Sequence, residues 1–232
     1  TIDIETQQAD EQYWKQKLPM FPQEAPNLPL IKKAEDIDTV LFSRRSKVLN
    51  QEAWQRIKTK AAKYQVTPSM VLLTCYGMVL ERWIDQDAFV INMPLFNRQT
   101  DNEQVHMMIA DFTNLLLLMW KNEEGSVLDK IRTISHTFLE SMEHSSYSGI
   151  KVQRDINKRA GNNINIAPIV FACNIDYPLE TENSKKVLGK LTYMISQTPQ
   201  VWLDFQTYIN NGNLILCWDA MDVLFYPGMI DT

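Results

Sequence analysis

The sequence is poor in histidine and contains none of the motifs that mark the commonest catalytic sites. It has three histidines in 232 residues and no GxGxxG, P-loop, GxSxG or HExxH pattern. His106, His136 and His144 have no acidic or cysteine partner at ligand spacing, and His136 and His144 are typical of surface positions. We therefore expect no metal site, and a conventional acyl-transfer site cannot be assembled from these histidines alone.

Cysteine pairs, basic clusters and long apolar runs are also missing. Cys75, Cys173 and Cys217 form no CxxC pair, and their mostly apolar flanks predict buried free thiols in a reducing cytoplasm. The net charge is −5 without a basic block, which makes nucleic acid an unlikely partner. No apolar run approaches the roughly 20 residues of a membrane span. A cytoplasmic globular protein without a membrane span is the class that remains.

Strand-like and helix-like segments alternate along the chain, which predicts α/β or α+β organisation around one main sheet. We predict strands over 40–49, 88–92, 111–119, 167–173, 201–209 and 214–218, the last two forming a hairpin through 210–213. Helices are predicted over 8–18, from Asn50 to Tyr64, over a buried 70–83, over 126–142, and from about 155 to Gly161. Prolines at 19, 22, 26 and 29 predict an extended connector, and 180–190 is typical of a charged surface loop.

Residues 196–206 change from a small, polar turn to a pattern rich in aromatic and β-branched residues, as in a strand. Asp204 stands between two apolar residues, so in a regular strand it faces away from both, beside Trp202 and Gln206. A carboxyl group between an indole and an amide can be partly desolvated, which raises its pKa and suits proton transfer. The alternative is a solvated acid on an open sheet face, and exposed aspartate is the commoner case.

Short motifs in a fixed order extend over nearly the whole chain. They are Leu18-Pro19, Pro26-Asn27-Leu28-Pro29-Leu30, Thr67-Pro68-Ser69 with Tyr76, Val79-Leu80 and Trp83, Asn92 with Leu95-Phe96-Asn97-Arg98, Asp111-Phe112-Thr113, Pro168-Ile169-Val170-Phe171, Ser196 through Asp204, and Trp218-Asp219 with Phe225-Tyr226-Pro227-Gly228-Met229-Ile230-Asp231. This order resembles the heterocyclization (Cy) domains of nonribosomal peptide synthetases, and the stretch ending at Asp204 is its most specific part.

The resemblance implies a domain of two lobes of the chloramphenicol-acetyltransferase type with a tunnel between them. This chain resembles the C-terminal lobe, with a helix and proline-rich connector over 1–35 and a sheet-and-helix body over 36–232. The family's DxxxxD motif of the first lobe has no match, so we expect the N-terminal lobe to be absent and the chain to be a piece of a longer polypeptide. The expected fold class is an α/β (α+β) sandwich, a mixed β-sheet with helices packed on it.

Domains of this kind join a carrier-bound acyl or peptidyl thioester to Cys, Ser or Thr and cyclodehydrate the product to a thiazoline or oxazoline. Substrates arrive on phosphopantetheine arms, so the resemblance implies no directly bound cofactor. The implied partners are the missing N-terminal lobe, upstream and downstream peptidyl or aryl carrier proteins, and an adjacent adenylation domain. Siderophore biosynthesis is the expected context, and the isolated fragment is expected to be inactive because the tunnel needs both walls.

The resemblance also assigns residues. Asp204 fits the family's catalytic aspartate, and Asn92 fits an asparagine that orients the substrate. Gln197 and Gln200 are expected to hydrogen-bond a carbonyl or to fix Asp204. The full set expected to position the substrate is Gln197, Thr198, Gln200, Asp111, Thr113 and Trp202.

One departure from the family pattern bears on the reaction. The family usually has Phe-Thr-Ser where this chain has Phe171-Ala172-Cys173, and an alanine side chain neither donates nor accepts a hydrogen bond. This favours a member that only condenses or is partly degenerate. Two alternatives stay open, a non-catalytic lobe that docks carrier proteins and an ordinary condensation domain, which would have HHxxxDG in the missing lobe.

Overall fold

The computed structural model describes residues 4–96, 103–176 and 179–231, which form one six-stranded mixed sheet with six α-helices. The strands are β1 Ser43–Leu49, β2 Ala88–Phe96, β3 Thr113–Lys121, β4 Ile169–Asn174, β5 Leu203–Asn210 and β6 Asn213–Ala220. The helices are α1 Ile4–Lys17, α2 Gln51–Lys63, α3 Pro68–Leu80, α4 Val127–Glu143, α5 Gly149–Ala160 and α6 Glu182–Leu188. The predicted mixed sheet with packed helices is confirmed.

The strand order is β1-β6-β5-β4-β2-β3. β4 pairs in parallel with both β2 and β5, and the other three pairs are antiparallel. The predicted hairpin between β5 and β6 is confirmed, and its turn places Asn211 and Gly212 at positive φ, as a type I′ turn requires.

The structure corrects several sequence-based boundaries. β2 extends to Phe96 rather than ending at 92, and β3 begins at Thr113 rather than at 111. The segment 180–190, predicted as a loop, contains the helix α6. That helix starts with a capping box in which Thr181 and Ser184 bond each other's backbone N–H. Asn97 and Arg98, which belong to the family-like motifs, lie outside the described residues, and so does the side chain of His106.

One face of the sheet carries an aromatic row that packs on α3. Register pairs Phe171 with Phe205 and Phe205 with Trp218. The ring of Tyr76 lies 6.0, 4.9 and 5.6 Å from these three rings. The helix begins with Thr67, whose side chain accepts from the backbone N–H of Met70, followed by a proline in the first turn. This packing buries the centre of the sheet from one side.

The burial expected for α3 and for the cysteines is only partly correct. Leu73 and Leu80 are fully buried, but Cys75 and Val79 are exposed on one flank of α3. Of the three cysteines only Cys217 is buried, because Cys75 is exposed and Cys173 is half-buried near the end of its strand. Among the described helices, none is long and apolar enough to cross a membrane.

The opposite face is covered at its β3 end by α5, with α1 attached beside it. Gly149 starts α5 so close to β3 that an added Cβ would lie 2.7 Å from the carbonyl oxygen of Leu115. Buried Asp10 of α1 lies 2.9 Å from Nδ1 of His144 and accepts hydrogen bonds from the backbone and hydroxyl of Ser146. His144 is therefore half-buried and ties α1 to the body, which corrects its expected role as an ordinary surface residue.

Gly77 provides a test of this packing. An added Cβ would lie 2.3 Å from the Trp120 ring, which is 2% exposed and whose Nε1 donates to Glu81 Oε1 at 2.8 Å. Alanine in a helix interior is ordinarily better than glycine by about 1 kcal/mol, whereas overpacking costs about 1–3 kcal/mol. We expect Gly77→Ala to lower the free energy of unfolding by up to about 2 kcal/mol in urea denaturation, the overpacking cost less the propensity gain. The control is Thr59→Ala, exposed on α2, which should be neutral or slightly stabilising. A Gly77→Ala variant more stable than the parent would contradict this packing.

Candidate active site

A single row of residues crosses the sheet and contains both predicted catalytic side chains. Register pairs Asn92 with Val170 and Val170 with Asp204. It continues from Asp204 to Asp219 and from Asp219 to Arg44. Residues paired in register point to the same face of a sheet, so these four polar side chains share one face. Asn92 and Asp204 are two strands apart, which corresponds to about 10 Å between backbones.

Asp204 is buried, not solvated. The residue is 5% exposed, and its Oδ2 accepts a hydrogen bond from Gln206 Nε2 at 2.9 Å. Burial raises the pKa of the Asp204 carboxyl, an effect that the hydrogen bonds of Gln206 and Ser196 oppose. The charge of Asp219 raises this pKa further and that of Arg44 lowers it. The alternative of a carboxylate on an open face is therefore excluded.

Two acceptor atoms in this row are left without partners. Asp204 Oδ1 and Asn92 Oδ1 are both buried, and neither is hydrogen-bonded within the described part of the chain. A buried polar atom without a partner costs about 1–3 kcal/mol, so such atoms concentrate where a ligand supplies the missing partner. Both atoms lie on the same face of the sheet, on either side of Val170.

A buried ion pair borders Asp204. Arg44 donates from Nε and Nη2 to the two carboxylate oxygens of Asp219, each at 2.6 Å, and the side chains are 9% and 0% exposed. The backbone N–H of Ser196 also donates to Asp219 Oδ2, at 2.8 Å. Arg44 Nη2 reaches Gln206 Oε1 at 2.8 Å, so Gln206 bridges the ion pair and Asp204. The hydrogen bonds of Asp219 raise the pKa of Arg44, which keeps the guanidinium charged.

Ala172 lies next to this network. It pairs in register with Gln206, so its methyl group is on the same face as Asp204, two residues further along the strands. The structure thus places a methyl group where the family-like threonine would bring a hydroxyl. Cys173 pairs with Thr207 and points to the opposite face, and burial raises the pKa of its thiol.

The structure does not bring Gln197 or Gln200 to Asp204. Both are exposed in the segment before β5, together with Thr198, whose carbonyl accepts from the backbone N–H of Val201. Gln206 makes a bond to Asp204 from the same face of the same strand, and the alternative that Gln197 and Gln200 hydrogen-bond a carbonyl stays a prediction. The sequence spacing of two residues was the available signal for Gln206, whereas Arg44 could be found only from the strand register.

The other predicted positioning residues lie around the edges. Trp202 is half-buried immediately before β5, where its backbone N–H donates to the carbonyl of Pro168 at 2.8 Å. Asp111 and Thr113 are exposed at the start of β3, which pairs with the far end of β2, about 13 Å along the strand from Asn92. The Thr113 backbone donates to Asp111 Oδ1 at 2.8 Å, and bonds with Thr113 lower the pKa of that carboxyl. These two residues form a local turn away from Asp204.

The site borders an open cavity. A volume of about 640 Å³ lies between the β5–β6 hairpin and residues 179–194, and Arg44, Tyr208 and Cys217 of the Asp204 face line it. Within the described ranges no group of three or more His, Cys, Asp or Glu side chains is arranged to hold a metal ion. The buried Asp204 carboxyl, whose pKa is raised by burial, is a group chemically able to exchange a proton.

Known proteins share the sequence and the fold of this chain over nearly its whole length. The chain is 34% identical over 229 residues to bacitracin synthase 1 of Bacillus licheniformis. The matched region covers 97% of this chain and 4% of that protein. It is 32% identical over 225 residues to phenyloxazoline synthase MbtB of Mycobacterium sp. (strain MCS), covering 96% of this chain and 19% of that protein. The EpoB cyclization-docking bidomain from Sorangium cellulosum matches with a TM-score of 0.85 and 29% identity, over 98% of this chain and 46% of that one.

The chain thus spans less than a fifth of these curated relatives and less than half of the matched solved chain. The family model described as the condensation domain matches residues 3–231, nearly the entire sequence. This chain therefore belongs to the condensation domain family of nonribosomal peptide synthetases.

Proposed function

We propose that this chain is the C-terminal lobe of a heterocyclization-type condensation domain and that Asp204 is its proton-transferring group. The domain joins a carrier-bound acyl or peptidyl thioester to the amine of Cys, Ser or Thr, and its side chain then closes a thiazoline or oxazoline ring. The observation that supports this most is the buried Asp204 carboxyl, with a raised pKa and a free Oδ1, in one row with Asn92. Two similar proteins are named as a phenyloxazoline synthase and a cyclization bidomain, which supports the same reaction.

The chemistry asks mainly for orientation and proton transfer. Ring closure is intramolecular, so correct positioning of the thiol or hydroxyl against the new amide carbonyl supplies much of the rate. In our proposal Asp204 Oδ1 accepts the proton of the attacking thiol or hydroxyl and passes it to the former carbonyl oxygen, which becomes a hydroxyl. It then accepts the proton of the ring nitrogen and gives it to that hydroxyl, which leaves as water as the C=N bond forms. A raised pKa keeps both protonation states accessible closer to neutral pH. The amide of Asn92 orients the carbonyl.

Ala172 limits the second step. The methyl group next to Gln206 supplies no hydroxyl to the face on which ring dehydration would occur. We therefore propose that this copy condenses efficiently and cyclises weakly, with an ordinary condensation domain as the second candidate. The remaining lobe, the carrier proteins with their phosphopantetheine arms and an adenylation domain are its proposed partners, and siderophore biosynthesis is the proposed context.

The first test removes the carboxyl. Asp204→Asn is nearly isosteric but cannot exchange a proton, so in the intact synthetase ring formation should fall by about 100-fold or more. Mass spectrometry of carrier-bound products measures it. Undiminished product would favour a docking lobe without catalytic function.

The same variant has a predicted effect on stability. Because the folded-state pKa of Asp204 is raised, the stability it contributes is present below the unfolded-state pKa, near 3.8, and is lost as pH rises through the folded-state value. Asp204→Asn should therefore be more stable than the parent at pH 7, with a smaller gain at pH 4, in urea denaturation. The matched control Asp176→Asn, at an exposed site, should show no gain at either pH. A pH-independent effect of Asp204→Asn would contradict the assignment.

The third test restores the hydroxyl. Ala172→Thr should raise the ratio of cyclised to linear product by about 5- to 10-fold, the effect of one hydrogen bond of about 1 kcal/mol in the transition state. Ala172→Val has nearly the same shape without the hydroxyl and is the control. An unchanged ratio for threonine, or an equal rise for valine, would show that the hydroxyl is not what the site lacks.

A further inference from the structure

We propose that Gln206, held in place by Arg44, is a positioning residue that determines which oxygen of Asp204 exchanges protons with the substrate. The inference rests on the proposed function of Asp204 and adds to it two residues that the sequence comparison did not assign. It is based on the hydrogen-bond chain Arg44–Gln206–Asp204, which links two strands of the sheet, β1 and β5.

The amide of Gln206 has only one orientation compatible with its neighbours. Its Oε1 accepts from Arg44 Nη2 at 2.8 Å and its Nε2 donates to Asp204 Oδ2 at 2.9 Å. A guanidinium group has donors only, and an ionised carboxylate has acceptors only. Rotating the amide by half a turn would set donor against donor and acceptor against acceptor.

This orientation makes the two oxygens of Asp204 unequal. Oδ2 accepts an N–H, and because a carbonyl oxygen is a better acceptor than a hydroxyl oxygen, this bond favours a proton on Oδ1 over one on Oδ2. Oδ1 is buried and has no partner among the described residues, so it is the oxygen on which a proton can reside and from which it can leave. The reactive atom of the carboxyl is therefore selected by Gln206.

Arg44 is itself fixed by the ion pair. Both of its bonds to Asp219 are 2.6 Å, and Asp219 also accepts from the backbone of Ser196. The charged groups on the Asp204 face are Arg44 from β1 and Asp219 from β6, whereas Tyr76 of α3 lies on the opposite, aromatic face. Arg44 and Asp219 largely neutralise each other. The side chain of Ser196 also lowers the pKa of the Asp204 carboxyl, and the amide of Gln206 adds a hydrogen bond that is directed at one of its oxygens, Oδ2.

The experiment compares pH profiles of single-turnover ring formation in the intact synthetase with loaded carrier proteins. In Gln206→Leu the donor to Asp204 is lost, so the limb of the profile that reports Asp204 should move to higher pH by about 0.5 to 1 unit. Gln206→Glu should move it further in the same direction, because a second carboxylate then faces Asp204 while still binding Arg44. The direction is the same whether Asp204 acts as the acid or as the base.

A purely structural role for Gln206 would reduce the active fraction at every pH and leave the limb in place, which would overturn the inference. Gln206→Met, which keeps the side-chain length, replaces Gln206→Leu if the latter does not fold. The matched control is Thr207→Val, on the opposite face of the same strand, whose profile should coincide with that of the parent.

Asp204→Asn separates this inference from the proposed function. If Asp204→Asn forms rings normally, the proposed function fails and the role of Gln206 fails with it. If Asp204→Asn abolishes ring formation while the Gln206 variants keep the parental limb, only the positioning role is wrong. The proposed function and the positioning role are both supported if Asp204→Asn loses ring formation and the limb of the pH profile moves to higher pH in Gln206→Leu and further in Gln206→Glu.

Discussion

The buried ion pair between Arg44 and Asp219 is the interaction on which the site depends. It joins β1 at the sheet edge to β6, and through Gln206 it reaches Asp204 on β5. Loss of one partner of such a pair leaves a buried charge and costs about 3–5 kcal/mol, whereas well-packed apolar pairs of similar volume are often equally stable. Stability alone therefore does not explain why a charged pair occupies this place. The charged pair is explained by its geometric consequence, which is that it fixes the amide of Gln206 beside Asp204.

Unpaired polar atoms are informative here because of where they lie. The hydroxyl of Tyr76 is also buried without a partner, but it belongs to the helix on the aromatic face of the sheet. Asn92 Oδ1 and Asp204 Oδ1 share the other face and one row across the strands. Two unpaired acceptors in different parts of the molecule would each lower the stability of the fold. Two in one row can instead be complementary to a substrate that has hydrogen-bond donors at matching positions.

Much of the fold could be predicted from the sequence, because periodicity and turn residues act locally. The face of Asp204 followed from alternation along a strand, and the β5–β6 hairpin followed from its turn. The helix α6 was missed because its polar sequence has little apolar periodicity and its capping box ends in Ser184 rather than in Glu or Gln. The partnership of Arg44 with Asp219 was not predictable, since they are 175 residues apart and only the register brings them together. Gln206 binds Asp204 because residues two apart on one strand share a face, whereas Gln197 and Gln200 precede the strand.

Ala172 shows how a site of this kind can retain one half of a two-step reaction. Amide formation depends chiefly on holding the amine against the thioester, and the residues that orient and shape the face are present. Dehydration also requires a proton to reach a poor leaving group, and there each donor near the departing oxygen contributes to the rate. A methyl group beside Gln206 leaves the charge network and the packing intact while it removes one such donor. The expected consequence is a selective loss, in which bond formation persists and ring closure slows, because amide formation depends mainly on positioning whereas ring closure needs the Asp204 carboxyl together with further proton donors.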